Sequence, residues 1–210
     1  FDPTTALGGE DPLEGLNRSI YHVANSFVRY VYRPVGTGYA SVMPRWGVRH
    51  VNYFLDNLEF LVRGGSCLLQ GRVLDGGIEL TRFLTNTTVG IGGFFEVAED
   101  WGLPRQDEDF GQAFASWGIG PGCALYAVGP TNVRDAVGSI FDYAFDPKSY
   151  VNGGQAFSFL NRGVESYPHY EQVWRESFDP YWTFRELGLL RRQLQLTNWT
   201  AAETDLKPAP

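Results

Sequence analysis

The sequence of 210 residues is poor in the side chains that usually carry chemistry, with two cysteines and three histidines. Cys67 and Cys123 lie far apart in the chain, so neither zinc-site spacing nor a CxxC redox motif occurs. A disulfide and two free thiols both fit this pair, because the distance between their Cα atoms cannot be read from sequence. His22, His50 and His169 have no second ligand-type residue at metal spacing, so we predict no metal site.

Long apolar runs, a basic stripe and nucleophile motifs are also missing. No run approaches the roughly 18 to 20 apolar residues of a membrane-spanning helix, and no charged-then-apolar signal segment opens the chain. The net charge is −7 and the lysines and arginines are scattered, so we predict no binding of nucleic acid. No serine lies in a G-x-S-x-G elbow, and a Cys-His catalytic pair is disfavoured. We therefore predict that the chain is not an enzyme and uses no cofactor.

Aromatic residues are abundant, at 15% of the chain, with six tryptophans and eleven tyrosines. Rings with one polar and one apolar side suit an interface, although a large aromatic core gives the same composition. The length suits one large domain. We predict a flexible lead-in over 1–10, a helical domain over 11–199 and a disordered tail over 200–210.

Apolar residues recur at spacings of three and four along most of the chain, which predicts amphipathic helices. Asp11-Pro12-Leu13-Glu14 is typical of a helix start, and this helix is expected to end before Arg33-Pro34. A second helix is predicted from Pro44 to Val62, ended by Arg63-Gly64-Gly65. Further helices are predicted over Val73 to Thr85, Asp109 to Ser116, Thr131 to Tyr143 with Thr131 as cap, Gly154 to Val173 with a break at Pro168, and after Asp179-Pro180.

Strand patterns are scarce. Asp146-Pro147 is interpreted as a turn, and the glycines after Gly118 favour irregular structure over a short hairpin. The predicted fold class is therefore all-α, as a single domain with glycine-rich loops.

The segment Gly90 to Phe95 combines three glycines with exposed-looking apolar residues. Gly90, Gly92 and Gly93 permit positive φ and close backbone approach, while Ile91, Phe94 and Phe95 place apolar surface where a loop is usually polar. One interpretation is a tight turn packed into a core. The other is a flexible hinge whose apolar side chains face lipid.

An ordered series of motifs runs through the whole predicted domain. It comprises DPLEGLNR at Asp11 to Arg18, Asn57-Leu58-Glu59, Leu69-Gln70-Gly71, RFLTNTTVGIGGFFEVA at Arg82 to Ala98, DFGQAFASWGIG at Asp109 to Gly120, Gly129-Pro130 with Arg134-Asp135, and DPYWTFRE at Asp179 to Glu186. With these motifs the chain resembles the MlaA family, also called VacJ, the outer-membrane lipoproteins of Gram-negative lipid-asymmetry systems.

The resemblance implies a ring-like assembly of amphipathic helices on the periplasmic face of the outer membrane, in its inner leaflet, with a polar central channel. Mislocalised phospholipid from the outer leaflet would pass through this channel to a periplasmic lipid-carrier protein, and a trimeric porin is a further expected partner. Gly90, Ile91, Gly92, Gly93, Phe94 and Phe95 would then bind lipid or gate the channel, and Asn17 and Arg18 would line it. The family's signal and lipid-anchor cysteine are not in this sequence.

Two alternatives stay open. The chain could be a scaffold that docks on a porin or lipid carrier without conducting lipid, or a lipid-cleaving enzyme. A scaffold would still function after the channel is sterically blocked. An enzyme would form a product from labelled phospholipid.

Overall fold

The computed structural model describes residues 11–127 and 129–197, and over these residues the fold is almost entirely helical. The helices are α1 Glu14–Phe27, α2 Arg33–Val42, α3 Arg45–Leu58, α4 Phe60–Leu69, α5 Val73–Thr88, α6 Val97–Asp100, α7 Phe110–Ser116, α8 Val133–Phe145, α9 Gly154–Glu176 and α10 Pro180–Leu196. A small antiparallel hairpin pairs β1 Ala124–Tyr126 with β2 Pro130–Asn132. The all-α prediction is confirmed. The predicted lead-in 1–10, tail 200–210 and boundary at 199 lie outside the described residues.

The helical path through Pro34 differs from the prediction. The chain does not leave the helix before Arg33-Pro34, because a π-helical turn at Val28–Tyr32 joins α1 to α2. Proline lacks an N–H and its ring clashes with the carbonyl four residues earlier in a regular helix. A widened turn just before Pro34 changes that hydrogen-bond pattern, and the helix continues to Val42.

The Gly64-Gly65 pair lies inside α4 and does not end a helix as predicted. The break falls earlier, at Glu59, which separates α3 from α4. A Cβ added at Gly64 would lie 3.6 Å from the Cβ of Glu79, and one at Gly76 would lie 2.9 Å from a methyl carbon of Leu68. These glycines therefore allow α4 and α5 to pack closely, and that packing outweighs their poor helix propensity.

The long helix α9 continues through Pro168, where a break was predicted. Contacts to other helices hold it on both sides of the proline. Before Pro168, the hydroxyl of Tyr32 donates to the carbonyl of Leu160 at 3.0 Å, and after it the hydroxyl of Tyr170 donates to Asn25 at 2.9 Å. Tertiary contacts thus stabilise a helix that local propensity would interrupt.

Two smaller predictions are also corrected. Asn132 and not Thr131 caps α8, because its side chain accepts a hydrogen bond from the N–H of Asp135 at 3.0 Å. The glycine-rich region after Gly118 includes the hairpin that the glycines had argued against. The turn predicted at Asp146-Pro147 is present as a 3-10 turn over Pro147–Tyr150.

The helices close a circuit. Helix α9 packs on α3, α3 on α4, α4 on α7, α7 on α10, and α10 returns to α9. The hairpin joins the same circuit, since β1 contacts α1 and β2 contacts α8 and α10. This agrees with the ring-like arrangement predicted for the fold.

Polarity is inverted relative to a water-soluble globule, which keeps charged side chains outside. Within the described residues, Glu79, Arg82 and Lys148 are at most 3% exposed, whereas the buried apolar cluster comprises Tyr21, Tyr126 and Tyr181 with their neighbours. Large apolar side chains lie exposed along most helices, including Val23, Tyr30, Val42, Trp46, Leu61, Leu74, Leu84, Ile140, Phe145 and Tyr150. Over the same part of the chain, no helix combines the length and the apolar character needed to cross a bilayer.

Candidate functional site: a charged cavity within the helical circuit

A cavity of about 420 Å³ lies among the helices of the circuit, and we call it the central cavity. It receives side chains from α4, α8, α9 and α10 and from the segment that precedes α7. Its lining is rich in charge and comprises Glu59, Val62, Arg63, Arg105, Asp107, Glu108, Asp109, Ser139, Asp142, Tyr143, Asp146, Gln155, Arg162, Arg191 and Gln195. The charged sides of several amphipathic helices therefore face inward.

Ion pairs between distant parts of the chain hold one wall of this cavity. Arg162 on α9 donates to Glu59 at 2.8 Å, and Lys148 also donates to Glu59. Arg105 donates to Asp56 on α3 at 2.8 Å. Burial pushes the pKa of Glu59 upward, but the charges of Arg162 and Lys148 outweigh it, so the pKa of this carboxyl lies below its usual value. Glu59 is therefore ionised at neutral pH, and its ion pairs hold this wall in place.

Another part of the lining contains a carboxyl group with a raised pKa. Burial raises the pKa of Asp142 to about 7, and the charges of Asp109 and Asp135 act in the same direction. The N–H of Phe110, which donates to Asp142 at 2.9 Å, and the charge of Arg192 act in the opposite direction. Among the described residues, Asp142 forms no ion pair.

Arg191 on α10 is the second charged group of the lining without an ion pair in the described part of the chain. Its neighbour Arg192, in contrast, donates to Asp109 at 2.9 Å and to Asp135 at 2.8 Å. Arg191 is exposed and lines the central cavity. Among the described residues, the cavity thus offers one guanidinium and one carboxyl group that form no ion pair.

A second cavity of about 340 Å³, the leucine cavity, adjoins the central one. The two cavities share lining residues, among them Arg105, Arg191 and Gln195. Leu187, Leu190 and Leu194 lie on one face of α10 and line only the leucine cavity. The space inside the helical circuit is therefore amphipathic, with a charged part and an apolar part in contact.

The glycine segment, residues 90–95, forms a hydrogen-bonded turn after α5. The N–H of Gly92 donates to Thr87 at 2.9 Å, and that of Gly93 donates to Asn86 at 2.8 Å. Ile91, Gly92 and Gly93 all have positive φ, at 53°, 73° and 95°. The first of these is uncommon for a β-branched residue, so this turn contains backbone strain outside its glycines.

Close packing explains two of the glycines. A Cβ at Gly90 would lie 2.3 Å from the carbonyl oxygen of Phe95, and one at Gly93 would lie 2.6 Å from the side-chain nitrogen of Asn57. A Cβ at Gly92 would meet open space. Gly90 and Gly93 are therefore required by sterics, whereas Gly92 is required by its φ alone.

The apolar side chains of the glycine segment are partly or largely exposed. Ile91 is 69% exposed, and Phe94 and Phe95 are about 40% exposed. Phe94 stacks on Phe54 with ring centroids 4.9 Å apart, and Phe95 lies 4.6 Å from the ring of His50. None of these described side chains lines the central or the leucine cavity. The lipid-facing or gating role of the segment stays a prediction.

Asn17 and Arg18 lie at a junction of α1, the hairpin and the start of α10. Asn17 is 1% exposed, its side-chain N–H donates to Asp11 at 2.7 Å, and its oxygen accepts from the N–H of Tyr126 at 3.0 Å. Arg18 donates to Asp179 at 2.8 Å. Neither side chain lines the two cavities. These contacts stabilise the junction, and a channel role for the pair stays a prediction.

Cys67 and Cys123 are both free thiols, so the disulfide considered from sequence is not formed. Cys67 is fully buried on α4. Burial and the nearby carboxylate of Glu108 raise the pKa of its thiol to about 12. Cys67 is therefore a packing residue with little thiolate at neutral pH.

Sequence patterns did not identify the cavity residues Asp142, Arg105 and Arg191. Asp142 and Arg191 lie between apolar residues of helices, where charged residues usually face water, and Arg105 lies in a segment without regular secondary structure. The one signal in the sequence was that the helices carry many apolar residues, which suggests that their apolar faces are not buried in a core. Where the apolar stripe faces outward, the charged stripe must face the interior.

Comparisons with known proteins place the chain in a family. A sequence model described as MlaA lipoprotein matches residues 9–195. An uncharacterised protein of Rickettsia conorii is 34% identical over 185 residues, which cover 83% of this chain and 73% of that protein. The intermembrane phospholipid transport system lipoprotein MlaA of Escherichia coli K12 is 30% identical over 215 residues, covering 98% of this chain and 84% of that protein.

A solved structure extends the likeness to three dimensions. It comes from work on the structural basis for maintenance of bacterial outer membrane lipid asymmetry, and it superposes with a TM-score of 0.76 at 26% identity. The match covers 89% of this chain and 99% of that chain. On the match over residues 9–195 and on these relatives, the chain belongs to the MlaA lipoprotein family.

Proposed function

We propose that this chain is a phospholipid-transport component of the outer membrane, which moves mislocalised phospholipid out of the outer leaflet. The observation that carries the proposal is the inverted polarity of the helical circuit. Charged side chains line its central cavity, and large apolar side chains are exposed on most of its helices. Family membership supports the same function, because the relative from Escherichia coli is named for intermembrane phospholipid transport.

The two adjoining cavities match the needs of an amphipathic lipid. Moving a charged headgroup through hydrocarbon is costly, and a charged cavity replaces the lost water. Acyl chains need no such path, and the face of Leu187, Leu190 and Leu194 offers them apolar surface beside the headgroup route. Covalent chemistry is not needed for this transfer.

The exposed apolar side chains support a position within one leaflet. A helix that lies in the interface buries its apolar face about 5–10 Å into the membrane, so no helix has to span the roughly 30 Å hydrocarbon core. We propose that the domain lies in the inner leaflet, on the periplasmic face. Its partners are then the outer membrane, a periplasmic lipid carrier and a trimeric porin.

The first experiment is deletion of the gene in its own bacterium. Outer-leaflet phospholipid and detergent sensitivity should both rise, and complementation with the wild-type gene should restore them. Unchanged values for both after deletion would remove the basis of the proposal.

The second experiment separates conduction from scaffolding. Ser139 is exposed and lines the central cavity, so a Ser139→Cys variant in a Cys123→Ser background can be labelled there with a bulky maleimide. The buried Cys67 should not react. Labelling should stop lipid transfer to a carrier, whereas labelling Ser166→Cys on the exposed side of α9 should not. Full transfer by the protein labelled at position 139 would favour the scaffold.

The glycine segment enters the proposal as a membrane contact or gate. The exposure of Ile91, Phe94 and Phe95 supports contact with lipid. Replacing Ile91 by glutamate should weaken association with vesicles while leaving the helical content unchanged. Incubation of the purified protein with labelled phospholipid should yield no cleavage product, and a product would instead favour an enzyme.

A further inference from the structure

The lining of the central cavity contains more carboxylates than arginines. Within the described residues, every charged group of this lining except Arg191 and Asp142 forms an ion pair. A ligand with net negative charge would meet Arg191, but it would leave Asp142 facing its charge without a cationic partner. A zwitterionic ligand, with one anionic and one cationic group, would not. The balance of charge in the cavity therefore favours a ligand with both signs.

Arg191 and Asp142 supply complementary partners for such a ligand. Both line the same cavity of about 420 Å³, Arg191 from α10 and Asp142 from α8. Neither forms an ion pair within the described residues, whereas the neighbouring Arg162 and Arg192 are already bound to carboxylates. Arginine suits phosphate because its planar fork donates two parallel hydrogen bonds.

We propose that the central cavity is a headgroup site for a phospholipid with a primary ammonium, in which Arg191 binds the phosphate and Asp142 binds the ammonium. This inference rests on the proposed function and adds a headgroup preference to it. Arg191 also lines the leucine cavity, so a phosphate bound there would have its glycerol and acyl carbons beside Leu187, Leu190 and Leu194.

A primary ammonium fits Asp142 better than a quaternary one. The carboxylate can accept hydrogen bonds from the N–H groups of ethanolamine, but choline offers none. Quaternary ammonium is usually recognised by several aromatic faces, and Tyr143 is the one aromatic residue in the described lining of the central cavity. An ammonium beside Asp142 would also stabilise its ionised form.

The test uses the full chain in amphipol and water-soluble dihexanoyl lipids, with binding measured by isothermal titration calorimetry. Wild type should bind dihexanoyl phosphatidylethanolamine more tightly than dihexanoyl phosphatidylglycerol. Asp142→Asn should weaken the binding of dihexanoyl phosphatidylethanolamine about tenfold, because one charge-assisted contact is lost. The same variant should bind dihexanoyl phosphatidylglycerol as tightly as wild type. Arg191→Gln should weaken both about tenfold, because both contain the phosphate. Arg191→Lys, which keeps the charge, should recover part of this loss.

Matched controls are Arg49→Gln and Asp100→Asn, which remove exposed charges outside the central cavity. Both should bind as wild type, and circular dichroism should confirm that every variant is folded. Equal binding of the two lipids by wild type, or equal weakening of both by Asp142→Asn, would overturn the headgroup assignment alone. Binding of neither lipid by the wild-type protein would count against the proposed function itself.

Discussion

Replacement of Glu79 by alanine should destabilise the fold by about 3 kcal/mol, because this carboxylate joins α4, α5 and the segment that contains Gln106. Glu79 on α5 is fully buried. One of its oxygens accepts from Arg63 on α4 at 2.7 Å, and the other accepts from the backbone N–H of Gln106 at 2.7 Å. The guanidinium of Arg82 lies 3.8 Å away.

The magnitude follows from the contacts that remain after the change. Breaking a buried ion pair usually costs about 3–5 kcal/mol, since the other partner is left buried without compensation. Here Arg63 keeps a hydrogen bond to the carbonyl of Asp56 at 2.9 Å, and Arg82 keeps Glu96 at 2.6 Å. The loss should therefore fall at the low end of that range.

Thermal unfolding followed by tryptophan fluorescence measures this loss. For a chain of this size, about 3 kcal/mol corresponds to a fall in Tm of roughly 6–12 °C. Glu79→Gln keeps an acceptor for the N–H of Gln106 and should lose less than Glu79→Ala. Glu176→Gln, at an exposed position, should change stability by less than about 0.5 kcal/mol. A loss below about 1 kcal/mol for Glu79→Ala would refute the argument that this buried network stabilises the circuit.

Three further predictions concern the glycine segment, the thiols and Asp142. Chemical unfolding should show that Gly92→Ala lowers the free energy of unfolding by about 1 kcal/mol, because alanine is strained at a positive φ. Gly93→Ala should lower it by at least about 2 kcal/mol, because its Cβ would also clash with a neighbouring asparagine. Cys67 should resist alkylation at pH 8 until the protein unfolds, whereas the partly exposed Cys123 should react, as mass spectrometry would show. The pKa of Asp142 is about 7 in the folded protein, against an ordinary value of 3.8. Between about pH 4 and 7 the folded state therefore keeps a proton that the unfolded state has lost, so the free energy of unfolding should decrease as the pH rises through this range. Asp142→Asn should remove that part of the pH dependence of Tm.

Each of these predictions has a contrary result. Equal losses for the two glycine variants would show that contact with the asparagine is unimportant. Fast alkylation of Cys67 in the folded protein would mean that α4 opens readily. An unchanged pH profile for Asp142→Asn would mean that its carboxyl is solvated and not held in the cavity wall.

Local sequence predicted the starts of helices more accurately than their ends. Asp179 caps α10 as its Asp-Pro motif indicated, with the N–H of Trp182 donating at 3.3 Å. Caps of this kind depend on residues within one turn. Continuation through Gly64-Gly65 and Pro168 instead depends on contacts with other helices, which local signals do not contain, and continuation through Pro34 accompanies a π-helical turn.

The sequence alone determined that amphipathic helices would form and that an ordered motif series would resemble one family. A helical period identifies two faces, but it does not specify which face meets water, lipid or protein. That choice depends on pairs far apart in the chain, such as Arg162 with Glu59, which are 103 residues apart. Only the tertiary structure could place Asp142 and Arg191 in one cavity, because the charges that surround them come from several helices at once.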